Sequence, residues 1–166
     1  MTVQSVISGA HRAAMRGKGI QNMKNMPSIE VDESPDPALR DAILKPLKDF
    51  NESRVGPIRP EPLAIALRDP ESGAVIGGLW GGLVVSWLYV DLLVVPDGFR
   101  GQGLGTELLR RAEDIARKRG CIGMWLHTAS FQATGFYEKL GFQAFGTIPD
   151  YPPGHATIFY LKRLDA

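Results

Sequence analysis

Cysteine is nearly absent from this sequence. Cys121 is alone among 166 residues, which excludes an internal disulfide and any paired-cysteine metal or redox motif. There is also no apolar run long enough to cross a bilayer, so no membrane span is predicted. The first basic residues are not followed by the apolar segment that a signal peptide needs. With so few thiols, we expect a reducing, cytoplasmic location.

The sequence also lacks an excess of charge of either sign. Lys and Arg number 19 against 18 Asp and Glu, for a net charge of +1. This balance excludes a global nucleic-acid-binding surface but allows a local anion site. Hydrophobic residues make up 44% and charged residues 22%, which is typical of a globular chain with a real core. We therefore predict one domain, with neither nucleic acid nor membrane as partner.

The N-terminal segment differs from the rest of the chain. Residues 1–26 contain no Asp or Glu, while Arg12, Arg16, Lys18 and Lys24 are all basic. We predict an extension over residues 1–26 that precedes a domain over residues 27–166. The extension has three open interpretations: a dispensable segment, a helix at a dimer contact or membrane surface, or a transit peptide.

The remaining pattern predicts an α/β domain with a mixed sheet. A short strand over 29–31 precedes a helix that begins at Ser34–Pro37, is kinked or split by Pro46, and gives way to a loop over 51–60. Further strands are predicted over 62–68, 74–83, 88–95, 121–126, 142–147 and 156–164, with helices over 104–119 and 132–140. The glycines of the 74–83 strand suggest a bulge, strong bending or a close backbone approach.

One segment carries a chemical signal. The strand over 88–95 runs into a glycine-rich loop and a helix start, where Arg100, Gly103 and Gly105 have the spacing R-x-x-G-x-G. A helix N-terminus offers unpaired N–H groups, and glycines let an anion approach them closely. The alternative is a tight turn that needs glycine only for its geometry. The spacing matches neither a dinucleotide-binding fingerprint nor a P-loop.

A second motif lies about thirty residues further on. It reads A-x-x-F-Y-x-x-L-G-F over Ala133–Phe142. Together the two motifs resemble the GNAT superfamily of acyl-CoA-dependent N-acyltransferases, over roughly residues 29–164. The segment Asp150–His155 is similar to a small bacterial subgroup whose substrates are unassigned.

The resemblance implies a fold and a donor. The fold would be a mixed, mostly antiparallel sheet with flanking helices and one splayed parallel strand pair. The donor would be acetyl-CoA, with its pyrophosphate on the N–H groups of Gln102–Thr106, its pantetheine arm between strands that end near Val95 and His127, and a strand bulge providing an oxyanion donor. No metal is expected. The implied cofactor-binding residues are Leu93, Val94, Val95, Arg100, Gly101, Gln102, Gly103, Leu104, Gly105, Thr106 and Ser130.

The resemblance also suggests catalytic residues. By position, Tyr137 would be the general acid that protonates the CoA thiolate; alternatively it only packs against CoA. Strand alternation places Tyr89, Asp91 and Leu93 on one face. An aspartate inside an apolar strand is costly without a partner or a role, so Asp91 is a candidate base or amine-binding group, or a structural hydrogen-bonding residue.

Three further residues are candidates for the acceptor side. His127 could relay a proton or bind substrate, or be a satisfied histidine at a strand end. Tyr151 and His155 could line the acceptor pocket, or belong to a rigid turn.

On the cofactor side, Ser130 stands where many relatives have the Asn that contacts pantetheine. Ser130 or Thr128 could make this contact instead.

Together these features predict acetyl transfer from acetyl-CoA to a primary amine of a small molecule or peptide. Two alternatives remain at this stage. The first is a catalytically silent acyl-CoA-binding sensor or interaction protein, and the second is a nucleotide-binding module. Family habit alone suggests a homodimer.

Overall fold

The structure, a computed structural model, describes residues 26–165. The N-terminal extension predicted for residues 1–26 lies, apart from Met26, outside them. The chain divides between Asp49 and Phe50 into two units. The strand predicted over 29–31 is wrong, because these residues are exposed and have no regular structure. Ile29 is 96% exposed, so no burial compensates for the entropy of ordering a strand there.

Helix α1 (Pro37–Val55) begins where the sequence predicts. The Leu39 N–H donates to Asp36 Oδ1 at 2.7 Å, which is an N-cap contact, and Pro37 occupies the first turn. The helix then continues through Pro46 to Val55, so the predicted split at Pro46 and the predicted loop over 51–55 are both wrong.

Helix α1 continues through Pro46 although proline removes one N–H donor, which costs about 3 kcal/mol inside a helix. The exposed Lys45–Asp49 ion pair, at 2.6 Å, spans the same turn but offsets only a small part of that cost. The helix ends one turn later than predicted because Gly56, with a φ of +79°, supplies the left-handed residue that terminates it.

The second unit contains a six-stranded sheet with the order β1-β2-β3-β4-β6-β5. Every neighbouring pair is antiparallel except β3 and β4, which are parallel. This arrangement confirms the mixed, mostly antiparallel α/β fold. The strands are β1 (Glu61–Arg68), β2 (Val75–Val84), β3 (Trp87–Val94), β4 (Gly123–Ala129), β5 (Gln143–Pro149) and β6 (Ala156–Arg163), with helices α2 (Leu104–Lys118) and α3 (Thr134–Lys139).

Helix α2 supplies one side of the core. Its apolar residues recur at helical spacing, and the buried ones are Leu108, Leu109, Ala112 and Ala116. They belong to the same buried cluster as the β3 and β4 residues Leu88, Val90, Met124 and Leu126. Burial of these aliphatic side chains holds α2 over the centre of the sheet and so fixes the position of its N-terminus. No helix within residues 26–165 is both long and apolar enough to span a membrane.

A bulge interrupts strand β3 at Asp91. Gly81 of β2 pairs with Val90 and Trp80 pairs with Leu92, so Asp91 has no residue opposite it. The extra residue reverses the alternation of faces, because Leu88 and Val90 join the core before the bulge and Leu93 packs on it afterwards. The prediction that Leu93 shares a face with Tyr89 and Asp91 is therefore wrong.

Strand β2 is glycine-rich because the backbones of β1 and β3 lie very close to it: a Cβ atom on Gly78 would stand 2.2 Å from the backbone oxygen of Ile65 in β1. A Cβ atom on Gly81 would stand 2.1 Å from the backbone oxygen of Tyr89, a distance at which something must move. The close approach predicted from the glycines is confirmed.

We expect Gly81→Ala to destabilise the protein by at least about 2 kcal/mol, because the added methyl must push against backbone. Urea unfolding monitored by circular dichroism measures this. Gly146→Ala is the matched control, since it also lies in a strand but no atom lies within 4 Å of its Cβ position. Its unfolding free energy should change by no more than about 0.5 kcal/mol. Equal effects of the two substitutions would contradict the close-approach explanation.

An ion pair joins α2 to β6. Lys162 Nζ lies 2.6 Å from Glu113 Oε2, and Arg117 contacts the other carboxylate oxygen at 2.8 Å. Burial alone would raise the pKa of Glu113, but hydrogen bonds from Lys162 and Arg117 outweigh it and hold the pKa below its usual value. The native state therefore favours the charged carboxylate more than the unfolded chain does.

We expect Glu113→Gln to cost about 1–2 kcal/mol at neutral pH, because it weakens these charged hydrogen bonds. An unfolded Glu has a pKa of about 4.3, so the stabilisation is present above that pH and disappears as the pH falls through the lower native pKa. Wild type and variant should thus converge in acid. Asp114→Asn, which removes an exposed partner of Arg110, is the control and should cost less than about 0.5 kcal/mol. A difference independent of pH would contradict this assignment.

Candidate active site

The parallel strands β3 and β4 separate along their length. They pair from Trp87–Gly123 to Val90–Leu126 and no further, although both strands continue. A cleft of about 920 Å³ opens beyond that point, and Asp91, the bulged residue, lies where the strands part. The β3 edge that faces the cleft has no strand partner there, so its backbone groups can pair with an extended ligand.

A glycine loop closes one end of the cleft. After β3, a 3₁₀ turn over Asp97–Phe99 leads through Gly101 and Gly103, with φ values of +76° and +82°, into α2. The first bond of α2 runs from Glu107 N–H to the Gly103 carbonyl at 3.0 Å. The N–H groups of Leu104–Thr106 therefore have no partner within the helix, and together with the helix dipole they make this end suited to attract an anion. No atom lies within 4 Å of a Cβ position on Gly101 or Gly103, so the approach is open.

The negative charge nearest this end is already paired. Glu107 lies in the first turn of α2, where a free carboxylate would repel a second anion. Hydrogen bonds from Arg110 and Arg111 lower the pKa of Glu107 to about 2 and direct its charge toward the two guanidinium groups. The helix end is thus left to attract an anion.

Two residues of the R-x-x-G-x-G motif have structural roles. Arg100 donates from Nε to the Val95 carbonyl at 3.2 Å and pairs with Asp97 at 2.9 Å, so it steadies the loop. A Cβ atom on Gly105 would lie 3.1 Å from the ring of Phe136. The third glycine of the motif therefore serves close packing between α2 and α3.

The structure brings most of the expected cofactor-binding residues together. Leu93, Val94, Val95, Arg100, Gly101, Gly103, Leu104, Gly105 and Thr106 all line the cleft. Gln102 and Ser130 are not among the lining residues. The Gln102 side chain donates to the Gly98 carbonyl at 3.3 Å, and Ser130 Oγ accepts from the Ala156 N–H at 3.0 Å, which ties the loop after β4 to β6.

Gln132 lines the cleft and was not anticipated from the sequence. Its Oε1 accepts hydrogen bonds from Thr128 Oγ1 at 2.7 Å and from the Ala129 N–H at 3.0 Å. An amide oxygen fixed in this way leaves the amide nitrogen free to donate to a ligand. The sequence feature that could have pointed to Gln132 is its position, directly before the A-x-x-F-Y motif and two residues after Ser130.

Tyr137 lies on α3 and lines the same cleft. Its ring is held between aromatic neighbours, with centroid distances of 5.1 Å to Phe136, 5.9 Å to Tyr160 and 6.1 Å to Phe142. Burial raises the pKa of the Tyr137 hydroxyl, so it keeps its proton through neutral pH. A protonated, positioned hydroxyl at a cleft wall is a competent proton donor.

Asp91 on β3 and His127 on β4, which the sequence suggests as groups that bind or deprotonate the acceptor, both line the cleft. Tyr89 connects them: its hydroxyl donates to Asp91 Oδ1 at 3.0 Å and lies 3.3 Å from His127 Nδ1. Tyr151 and His155 are not lining residues, but the His155 ring packs edge-on against Phe131, which is one, at 4.8 Å.

Comparison with known proteins agrees with this geometry. The family model described as the acetyltransferase (GNAT) family matches residues 26–142. The chain belongs to the GNAT family. It is 39% identical over 144 residues to the blasticidin-S acetyltransferase of Streptomyces morookaense, covering 86% of this chain and 100% of that protein.

Two solved acetyltransferase structures are similar over most of the chain. An acetyltransferase from Agrobacterium tumefaciens has a TM-score of 0.77 and 36% identity, covering 83% of this chain and 100% of its own. An acetyltransferase from Bacillus cereus has a TM-score of 0.73 and 30% identity, covering 81% of this chain and 98% of its own.

This GNAT protein is an acetyl-CoA-dependent N-acetyltransferase. Its residues fit the donor: unpaired helix N–H groups and open glycines suit a diphosphate, and an unpaired strand edge suits the pantetheine arm. Within residues 26–165, no cluster of three or more His, Cys, Asp and Glu side chains could hold a metal ion.

Proposed function

We propose that this enzyme acetylates a primary amine of a small molecule or peptide by direct attack of the amine on acetyl-CoA. One observation carries the proposal. A single cleft between the parted strands β3 and β4 has an anion-binding helix end at its rim and Asp91, His127 and Tyr137 in its walls. The cleft thus combines a donor site with groups that can move protons.

The donor side of the proposal rests on backbone. The N–H groups of Leu104–Thr106, with Gly101 and Gly103 open beside them, are suited to the diphosphate of acetyl-CoA. The free edge of Leu93–Val95 is suited to the pantetheine amides, and the bulge at Asp91 can turn a backbone N–H toward the thioester oxygen. The bound donor supplies an acetyl group activated as a thioester.

The acceptor side requires proton transfer. An aliphatic ammonium has a pKa of about 10, so at neutral pH it must lose a proton before its nitrogen can attack. The carboxylate of Asp91 provides the negative charge that attracts the ammonium, and the cleft walls, which include Asp91 and His127, supply a group that can accept the proton. Tyr137, which burial keeps protonated, then gives its proton to the departing thiolate.

A small-molecule acceptor is favoured over a protein. The blasticidin-S acetyltransferase, to which this chain is 39% identical, is covered over 100% of its length and takes its name from the compound that it acetylates. Because the similarity extends over the whole of that protein, we expect an acceptor of comparable kind.

A direct test combines an acetyl-CoA consumption assay with a panel of amines, including blasticidin-S, small diamines, amino sugars and N-terminal peptides. We expect at least one primary amine to consume acetyl-CoA, and mass spectrometry should find the acetyl group on its nitrogen. Binding of acetyl-CoA without transfer to any amine, or transfer only to hydroxyl or thiol acceptors, would overturn the proposal.

A further inference from the structure

Three polar side chains on β3 and β4 form one hydrogen-bonded chain that the sequence did not predict. The Tyr89 hydroxyl is its centre, 3.0 Å from Asp91 Oδ1 and 3.3 Å from His127 Nδ1. The Tyr89 ring stacks on Trp125 with centroids 4.1 Å apart, and the His127 ring packs against Phe159 at 5.6 Å. Both rings are therefore held in place by aromatic packing, and their polar atoms are held with them.

The direction of the hydrogen bonds follows from the proton count. A tyrosine hydroxyl has one proton to donate, and a carboxylate only accepts. The proton of Tyr89 therefore goes to Asp91, and the phenolic oxygen is left as an acceptor toward His127. Nδ1 of His127 must then carry the proton in that contact. In a neutral imidazole this leaves the lone pair on Nε2.

Tyr89 itself is not the base. Burial first, and then its hydrogen bond to Asp91, raise the pKa of Tyr89 to about 12. The hydroxyl thus keeps its proton at neutral pH and serves as a fixed link. By contrast, His127 is exposed and lines the cleft, and its Nε2 makes no hydrogen bond to any residue from 26 to 165.

We propose that His127 Nε2 accepts the proton that the substrate ammonium loses, with Tyr89 as the positioning residue that fixes this tautomer and Asp91 as the anion behind it. The inference rests on the proposed function and refines it, because Asp91 then acts through Tyr89. The groups that the neighbouring strands place around His127 do not compete with it for the substrate proton. Strand β3 presents Tyr89 and Asp91, and β6 presents the uncharged Phe159 opposite His127.

The proton transfers balance. An N–H bond of the ammonium breaks and an Nε2–H bond forms, which leaves a neutral amine and an imidazolium held by the Tyr89 oxygen. The amine lone pair forms the new bond to the acetyl carbon as the bond from that carbon to sulfur breaks. The thiolate takes the proton of the Tyr137 hydroxyl. The attacking nitrogen then gives its second proton to the Tyr137 oxygen, which restores the hydroxyl and leaves a neutral amide. The imidazolium releases its proton to solvent, since His127 is exposed.

The tautomer is directly observable without acetyl-CoA or an acceptor. The chain has only three histidines, so ¹⁵N–¹H long-range correlation spectra of the full chain are simple, and His127→Gln identifies the His127 signals. At mildly alkaline pH we expect His127 to be protonated at Nδ1 in the wild type and to shift to Nε2 protonation in Tyr89→Phe. That variant keeps the ring that stacks on Trp125 and loses only the hydroxyl.

Tyr160→Phe is the matched control for this spectrum. It also removes a hydroxyl that donates to a carboxylate, in this case that of Glu138 at 3.2 Å, but at a buried position outside the cleft lining. The His127 tautomer should not change in this variant. A wild-type His127 protonated at Nε2, or a tautomer unaffected by Tyr89→Phe, would overturn the proposal.

Kinetics gives a second readout. We expect His127→Gln to lower kcat roughly 100-fold and Tyr89→Phe to lower it roughly 10-fold, with KM for acetyl-CoA unchanged in both. Unchanged kcat in His127→Gln would overturn the role of Nε2. If the wild type acetylates no amine, the proposed function fails, while the tautomer spectrum still decides whether Tyr89 fixes His127.

Discussion

Tyr137→Phe is expected to lower kcat by about 100-fold while leaving KM for acetyl-CoA within about twofold. The ring would keep its contacts with Phe136, Phe142 and Tyr160, because only the hydroxyl is removed. What is lost is the hydroxyl that we propose as the proton donor, whose pKa burial raises so that it stays protonated. The departing thiolate must then take its proton from water. Steady-state kinetics with the best amine of the panel measures both constants.

The control for this prediction is Tyr160→Phe. Tyr160 is almost fully buried, and its hydroxyl donates to Glu138. Its loss should cost about 1 kcal/mol of stability with no comparable fall in kcat. If Tyr137→Phe retained wild-type kcat, Tyr137 would be a packing residue only. If it raised KM for acetyl-CoA and left kcat unchanged, its contribution would be to donor binding.

Gly103→Asp is expected to weaken coenzyme A binding by about 100-fold or more. Gly103 is the N-cap of α2 with a φ of +82°, a backbone conformation that Asp and Asn tolerate better than other side chains. The substitution leaves the packing of the buried α2 side chains on the core unaltered, so the helix should persist. The new carboxylate, however, would compete for the N–H groups of Leu104–Thr106 and repel the diphosphate, and like charges a few ångströms apart cost on the order of 2–4 kcal/mol near a surface.

Gly103→Asn isolates the contribution of charge. It has nearly the same shape and the same tolerance of this backbone conformation but no negative charge, so its loss of affinity should be about tenfold and clearly smaller than that of Gly103→Asp. Calorimetric titration with coenzyme A provides both dissociation constants, and circular dichroism confirms that α2 is retained. Equal affinities for the two variants would show that no anion sits at this helix end.

The sequence was most informative where local chemistry decides structure. The helical spacing of Leu108, Leu109, Ala112 and Ala116 places α2, and the glycines before it place its N-terminal end. Both features depend on residues that are close in sequence, so periodicity and backbone conformation reveal them directly. The resemblance carried by the two motifs added the pairing of distant segments, including the parted strands.

Features that depend on tertiary context were harder to predict. The bulge at Asp91 reverses the alternation of β3, which no period-two pattern contains, and this is why Leu93 was placed on the wrong face. The role of Tyr89 depends on His127, which lies 38 residues away in sequence and on the neighbouring parallel strand. The Ser130 hydroxyl accepts a hydrogen bond from the Ala156 N–H of β6, a partner that only the fold brings near, and the expected contact of Ser130 with pantetheine stays a prediction.

We propose that the backbone at the start of α2 holds the diphosphate of coenzyme A. ¹H–¹⁵N correlation spectra of the full chain, recorded during titration with coenzyme A, test this residue by residue. The largest shifts are predicted for the amide signals of Gly101–Thr106, with smaller ones along Leu93–Val95. Unchanged signals in both segments at saturating coenzyme A, or perturbations centred elsewhere on the protein, would contradict the account.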